Sequence, residues 1–352
     1  MAKQHGPGIA KFVAEQAGGS ASDSSPTRNQ FSADAAKAVP ALVTMFSGCK
    51  DGQTSADVSN VQSFGLPTDC GPAGAGGACT HALLKYAYSQ QGEFTYKELL
   101  VGMREILRSG GYSQIPQMSS SRQLNLDEAF TVGAPAAGGK KRALLIGINY
   151  GGQKGELRGC HNDVDSMLKY LKSAGFADGS CEVRVMRDNG SDEQPTSANI
   201  LNALAWLAHG AAAGDALFLH YSGHGGRMKD DNGDEADGYD ETLIPLDFET
   251  AGQMRDDLLH KTLIMRLPEG CKLTAVMDCC HSGTVFDLPY ELMVDKNVLD
   301  QLLSGKLGQL LENQGFFGQA VKGAIRWVGE NPDQAKAAAG LAMKMARGMK
   351  LF

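Results

Sequence analysis

The sequence predicts an α/β protein built on a mostly parallel sheet with helices on both faces. Three observations carry that expectation. From Arg142 onward, apolar runs of strand length alternate with amphipathic stretches of helix length. The runs RALLIGI, DALFLHY and KLTAVM are almost continuously apolar, as strands buried on both faces must be. Two strand ends, FLHYSGHGG at 218–226 and VMDCCHSG at 276–283, break into Gly with His or Cys. That is where open α/β sheets place their sites, just beyond the carboxyl ends of the strands.

The elements follow in order. Residues 1–40 are rich in Ala, Ser, Gly and Gln and read as a flexible segment. Ala41–Phe46 (ALVTMF) reads as a buried strand. The Gly-rich GPAGAGGACT has neither the GK[ST] ending of a P-loop nor G-x-G-x-x-G spacing, so it reads as a flexible loop entering a helix. Thr80–Ser89 and Thr95–Arg108 have helical periodicity, and Ile115–Ser119 reads as a short strand. Residues 131–141 (TVGAPAAGGKK) form a linker between a region at 41–130 and one at 142–290. In the latter, strands are predicted at Arg142–Ile148, Cys181–Arg187, Asp215–Tyr221 and Lys272–Met277. Helices are predicted at His161–Ala174, from Thr196 through Ala213, and at Asp256–Leu267 before Pro268. Residues 291–352 read as a helical tail with a basic end, weakened by glycines.

Bulk properties narrow the function. The chain of 352 residues has a net charge of −7, which argues against nucleic acid as a partner because phosphate binding needs a basic surface. Eight cysteines are too sparse for a disulfide scaffold in a chain this long, and a reducing, cytoplasmic location fits best. The N-terminus lacks the apolar core of a signal peptide, and no apolar run approaches transmembrane length.

The two strand ends carry the chemistry. His224 and Cys280 would face each other if their strands are neighbours, with Cys280 as nucleophile and His224 as general base. A thiol titrates near ~8.5, so a neighbouring imidazole must take its proton and later protonate the leaving amine. Cys279 competes with Cys280 for the role, but Cys280 is closer to the Gly-containing turn. The N–H groups of Gly225 and Cys280 are candidate oxyanion donors. A zinc site drawn from Cys160, His161, His224, Cys279, Cys280 and His281 lacks any C-x-x-C or H-x-x-x-H spacing. The run DDNGDEADGYDE at 230–241 fits no EF-hand register, yet Asp240, Asp256, Asp257 and Asp287 could converge on a hard cation.

HYSGHG and DCCHSG, fifty-six residues apart from His224 to Cys280, resemble the histidine and cysteine motifs of metacaspases. RALLIGINY, LRGCHNDVDSM, PTSANI, IPLDF, DDLLHKTL, RLPEG and FDLPY extend the resemblance to the catalytic large subunit across 142–290. MFSGCKDGQTSAD and YSQIPQMSSSR resemble small-subunit segments. In this chain they come first, as in the type III metacaspases of algae. The resemblance implies a caspase-like three-layer sandwich with permuted subunit order. It also implies dependence on Ca2+, cleavage after Arg or Lys, and a monomer. It assigns Cys160, Asp163, Ser222 and Asp278 to a substrate pocket and Asp240, Asp256, Asp257 and Asp287 to calcium. Two carboxylates beside the nucleophile suit a guanidinium. With the small-subunit region first, no cleavable loop joins it to the Cys280 strand, so activation should need no cut between subunits.

Two other functions compete. A non-proteolytic scaffold or stress-response protein could keep the fold and the cation site, but it would have no need of His224, Cys280, Asp163 and Asp278 together. A cysteine hydrolase of another clan would differ in specificity.

Overall fold

The computed structural model describes residues 35–48, 57–58, 75–132, 135–136, 138–176, 179, 181–229, 239–280, 282 and 285–292. The chain divides into two units, 1–7 with 26–290, and 8–25 with 291–352. The second lies outside the described residues except for Glu291 and Leu292, and so does the predicted helical tail beyond them.

The first unit opens with β1 (Leu42–Ser47), the short pair β2 (Asp57–Val58) and β3 (Gly76–Gly77), then α1 (Ala78–Ser89), α2 (Tyr96–Ser109) and β4 (Gln117–Ser120). The second half runs β5 (Lys141–Gly147), α3 (Cys160–Ser173), β6 (Cys181–Arg187), α4 (Ser197–Ala208) and β7 (Ala216–Ser222). It continues with β8 (Gly225–Lys229), β9 (Tyr239–Leu243), α5 (Phe248–Ala251), β10 (Met254–Arg255), α6 (Asp256–Thr262), β11 (Lys272–Asp278) and β12 (Tyr290–Leu292).

Seven strands form the central sheet in the order β12-β4-β1-β11-β7-β5-β6. β1, β11, β7, β5 and β6 are parallel, and β4 is antiparallel to β1. The fold is thus the expected α/β class, a caspase-like sheet with helices around it. β7 is buried at every position, which is why its sequence is apolar without alternation. Leu144, Ile146, Leu217, Leu219, Leu273 and Ala275 pack with Ile200, Leu204 and Leu207 of α4 and Leu259 of α6. α1 and α3 pack on each other and on β11, β7 and β5. Crossover helices of this kind let the Cys280 and His224 strands lie side by side.

The small-subunit-like region joins the same sheet through β1, which pairs with β11. The chain then returns from β4 to β5, four places along the sheet. Four strand spacings are roughly 19 Å, and about twenty extended residues reach roughly 70 Å, so the permuted order strains nothing. The linker is pinned to the body: the Ala136 N–H donates to Gly214 O (2.9 Å) and the Lys140 N–H to Asp215 Oδ1 (2.8 Å).

Several boundaries differ from expectation. Order begins before residue 41: residues 35–38 form a helical turn, and Ala35 and Val39 are buried. α4 stops at Ala208 rather than Ala213. His209 leaves the helix, Gly210 takes φ +65°, and Asp215 Oδ2 accepts the Ala212 N–H at 2.9 Å, so a turn wins over alanine's helix propensity. The predicted helix at 256–267 is α6 followed by a 3₁₀ turn at Ile264–Arg266. Residues after Pro289 begin as a strand, β12, not a helix. The ribbon β8–β9–β10 was not predicted at all.

Candidate active site

The register of β7 on β11 decides the site. Ser222 pairs with Asp278, so the residues two further on, His224 and Cys280, leave adjacent strands at the same height. Gly225 confirms how closely these ends approach: a Cβ there would sit 1.9 Å from the carbonyl oxygen of Cys280. Only glycine lets the chain pass. Cys279 is 1% exposed and belongs to the core, whereas Cys280 is half-buried with access to solvent. That burial difference favours Cys280 as the reactive thiol. His281 and Gly283 lie outside the described residues.

His224 is held at ring and backbone. Its Nε2 lies 2.6 Å from the carbonyl oxygen of Gly155. A carbonyl only accepts, so Nε2 carries a proton, and in the neutral form of the ring the lone pair lies on Nδ1. Nδ1 is therefore the atom able to take a thiol proton. The loop that supplies Gly155 is braced by Asp188, which accepts from the N–H groups of Asn149 (2.9 Å) and Gly151 (3.4 Å) and from His161 Nε2 (2.6 Å). Burial opposes ionisation of Asp188, but these hydrogen bonds outweigh it and hold its pKa down to about 2.

The four residues that the resemblance assigns to a substrate pocket come together behind this edge. Asp163, in the first turn of α3, is 0% exposed and accepts the Ser222 hydroxyl at 2.6 Å. Asp278, 5% exposed, ends β11. Cys160 starts α3 and donates its N–H to Asn149 Oδ1 at 3.0 Å. What holds these two carboxylates was not legible in the sequence. Gly77 donates its N–H to both oxygens of Asp163 (2.8 and 2.9 Å), and Thr80 donates its N–H to Asp278 Oδ2 (2.7 Å). A Cβ on Gly77 would meet Asp278 Oδ2 at 2.2 Å and Asp163 Oδ2 at 2.9 Å. The glycine run expected to be a flexible loop therefore ends as a fitted strand and helix start. The signal was the Gly-Gly pair directly before a helix, which marks close backbone approach.

Two buried histidines lie beneath. His81 Nδ1 is 3.0 Å from Gly77 O and 3.3 Å from Asp163 Oδ1. Burial works against protonation of His81, but the hydrogen bond to Asp163 and its charge outweigh it, and the His81 pKa is raised. His220 Nε2 meets the Thr80 hydroxyl at 3.1 Å, and burial pushes its pKa down to about 4.

The acidic residues assigned to calcium are partly gathered. Asp240 on β9 and Asp256 at the start of α6 are both 3% exposed. Arg255 pairs with Asp240, and Lys261 pairs with Asp257 at 3.0 Å. Asp256 accepts the N–H groups of Glu241 and Asp257, both at 2.7 Å. Asp287 follows Phe286, whose carbonyl meets His260 Nδ1 of α6 at 2.8 Å. Among the described residues no three His, Cys, Asp or Glu side chains are spaced to hold a metal. Asp240 and Asp256, both buried, and the half-buried Asp257 are oxygen donors of the kind a hard cation takes; in this conformation Arg255 and Lys261 supply the positive charge. Run 230–238 lies outside the described residues.

Burial, with the charges of Asp240 and Asp257, pushes the Asp256 pKa up to about 7 against its two backbone hydrogen bonds. A carboxyl raised on folding gives stability that is full below its unfolded pKa, near ~4, and lost as pH rises through its folded value. Without divalent cations, the thermal midpoint should fall by on the order of a few degrees between those limits. Asp256→Asn should flatten that slope in thermal unfolding with chelator; an unchanged slope would exclude Asp256 as its source.

Comparison with known proteins agrees with this geometry. A family model described as the metacaspase peptidase C14 domain matches residues 141–289, and one described as a caspase domain matches 8–126. A protein named Metacaspase III c from Phaeodactylum tricornutum is 46% identical over 298 residues, covering 80% of this chain and 87% of its own. Metacaspase-1 of Mycosarcoma maydis is 49% identical over 52% of this chain, and Metacaspase-1 of Emericella nidulans 47% identical over 49%. This chain spans under half of those two fungal proteins, 44% and 43%.

A caspase-like sheet whose neighbouring strands deliver an imidazole and a thiol to one edge defines a cysteine-type endopeptidase. Within that class the chain belongs to the metacaspases, with its small-subunit region ahead of the catalytic one. No described helix is long and apolar enough to cross a membrane.

Proposed function

We propose that the chain is a calcium-dependent endopeptidase that cleaves proteins or peptides after Arg or Lys, as a cytoplasmic monomer. The observation that carries the specificity is the pair of buried carboxylates, Asp163 and Asp278, beside the Cys280 strand end. A low-dielectric site with two acids and a hydroxyl from Ser222 favours a basic side chain over an acidic or apolar one.

The chemistry runs on this chain's own groups. His224 Nδ1 takes the Cys280 proton, and the thiolate attacks the carbonyl carbon of the basic residue itself. The Gly225 and Cys280 N–H groups stabilise the oxyanion. The imidazolium then protonates the leaving amine as the C–N bond breaks. Water, deprotonated by the same ring, cleaves the thioester and restores the thiol. Asp240, Asp256, Asp257 and Asp287 would hold calcium, which supplies positive charge to carboxylates now balanced by Arg255 and Lys261.

The test is turnover of fluorogenic peptides ending in Arg, Lys or Asp by the uncut chain, with calcium and with chelator. Arg and Lys peptides should be cleaved at least about a hundredfold faster than Asp, because a desolvated charge mismatch costs several kcal/mol. Chelator should abolish turnover. Arg turnover that survives chelation would remove the calcium claim, and comparable Asp turnover would remove the pocket assignment.

A further inference from the structure

We propose that Tyr150, together with Tyr221, is a positioning residue that clamps the main chain of His224 so that its imidazole keeps a fixed line to Cys280. The inference rests on His224 as the general base.

Four observations converge on it. Tyr150 is fully buried, yet its backbone has φ +53°, a conformation that bulky residues seldom adopt without a compensating constraint. Its hydroxyl donates to Ile244 O at 2.6 Å and accepts the His224 N–H at 3.0 Å. The Tyr221 hydroxyl lies 3.4 Å away and faces the other end of the same residue, 2.9 Å from His224 O and 3.1 Å from Ile244 O. Tyr150 thus takes the N–H of His224 while donating to Ile244 O, and the single Tyr221 proton, shared between His224 O and Ile244 O, holds the C=O end of the same residue. The Tyr150 ring also packs on the imidazole, centroids 4.8 Å apart and tilted 34°.

The surroundings are cut to fit this clamp. A Cβ on Gly223 would meet the Tyr221 hydroxyl at 2.9 Å and the Tyr150 hydroxyl at 3.1 Å. The loop that begins at Tyr150 also carries Gly155, whose carbonyl fixes Nε2, so one segment anchors the backbone and the ring of His224 together. Burial raises the pKa of both phenols, so both stay protonated and able to donate wherever the enzyme works. Ring and backbone held this way define where Nδ1 points. A misplacement of about 1 Å in such a group can cost on the order of a hundredfold.

The experiment compares wild type, Tyr150→Phe, Tyr221→Phe and His224→Ala by kcat and KM on the preferred peptide. It also measures the pH profile of Cys280 alkylation by iodoacetamide. Tyr150→Phe keeps the ring and removes only the hydroxyl. Expected are a roughly tenfold fall in kcat, KM within about twofold, and an alkylation midpoint displaced toward that of a free thiol near ~8.5. Tyr221→Phe should move both readouts in the same direction, and serves if Tyr150→Phe folds poorly. If folded variants keep the wild-type kcat and alkylation midpoint, or lose activity only in proportion to folded protein, the clamp is overturned. His224→Ala separates the two claims: if it alkylates with the wild-type profile, the base assignment itself is wrong.

Discussion

Replacing Cys280 with alanine is expected to cut peptide turnover by on the order of a thousandfold or more. Among the described residues, its thiol is the only group at the end of β11 that is both nucleophilic and half-open to solvent; its neighbour Cys279 is sealed in the core. His224→Ala should cost about as much, because an unassisted thiol is mostly protonated at neutral pH and the leaving amine then lacks a proton donor. The double variant should be scarcely worse than either single, since the pair acts as a unit. Cys279→Ala is the informative contrast. It removes a packed sulfur from the core and should lower stability by about 1 kcal/mol while leaving kcat near wild type. Steady-state kinetics with thermal unfolding on all four variants would decide. Activity that vanishes in Cys279→Ala and persists in Cys280→Ala would reverse the assignment.

Gly225→Ala is expected to lower kcat by on the order of a hundredfold. The added Cβ would sit 1.9 Å from Cys280 O and 3.4 Å from Cys279 Cβ, and the nearer atom is main chain. No rotamer change relieves a backbone contact, so β8 and the Cys280 turn must part. That movement carries away the Gly225 N–H intended for the oxyanion and alters the His224-to-Cys280 geometry at once. Gly226→Ala should be far milder. Its Cβ would meet side-chain atoms, Gln253 Oε1 at 2.8 Å, Thr242 Oγ1 at 3.0 Å and Ile244 Cδ1 at 3.2 Å, which can shift. Equal kcat for Gly225→Ala and wild type, measured on folded protein, would remove Gly225 from the catalytic geometry.

Local signals located the strands well, and for a physical reason. A strand buried on both faces excludes polar residues, so ALFLHY and KLTAVM announce themselves whatever lies beside them. The ends of helices were less legible. Alanines at 211–213 favour helix in isolation, yet the side chain of Asp215 and the left-handed glycines at 210 and 214 turn the chain there. The ribbon β8–β9–β10 left no periodic signature because its strands are short, β8 is half-exposed while β9 is buried at four of five positions without alternation, and the acidic run separates β8 from β9 in sequence. The oxyanion candidate Gly225 was legible from its place after His224, but its contact with Cys280 O was not.

Residue types and their spacing pointed to Cys280 as nucleophile and His224 as base, and the motifs pointed to the family; Asp163 and Asp278 were assigned to a pocket only by that resemblance. Those roles depend on side-chain chemistry, and side-chain chemistry is written in the sequence. Tertiary structure alone decided which main-chain atoms serve them: Gly155 O on the imidazole, the Gly77 and Thr80 N–H groups on the pocket acids, and Ile244 O beneath the two phenols. Every residue but proline offers a carbonyl and an N–H, so residue type says nothing about which one arrives. Only chain closure, over separations of 86 residues for Gly77 to Asp163 and 198 for Thr80 to Asp278, selects them.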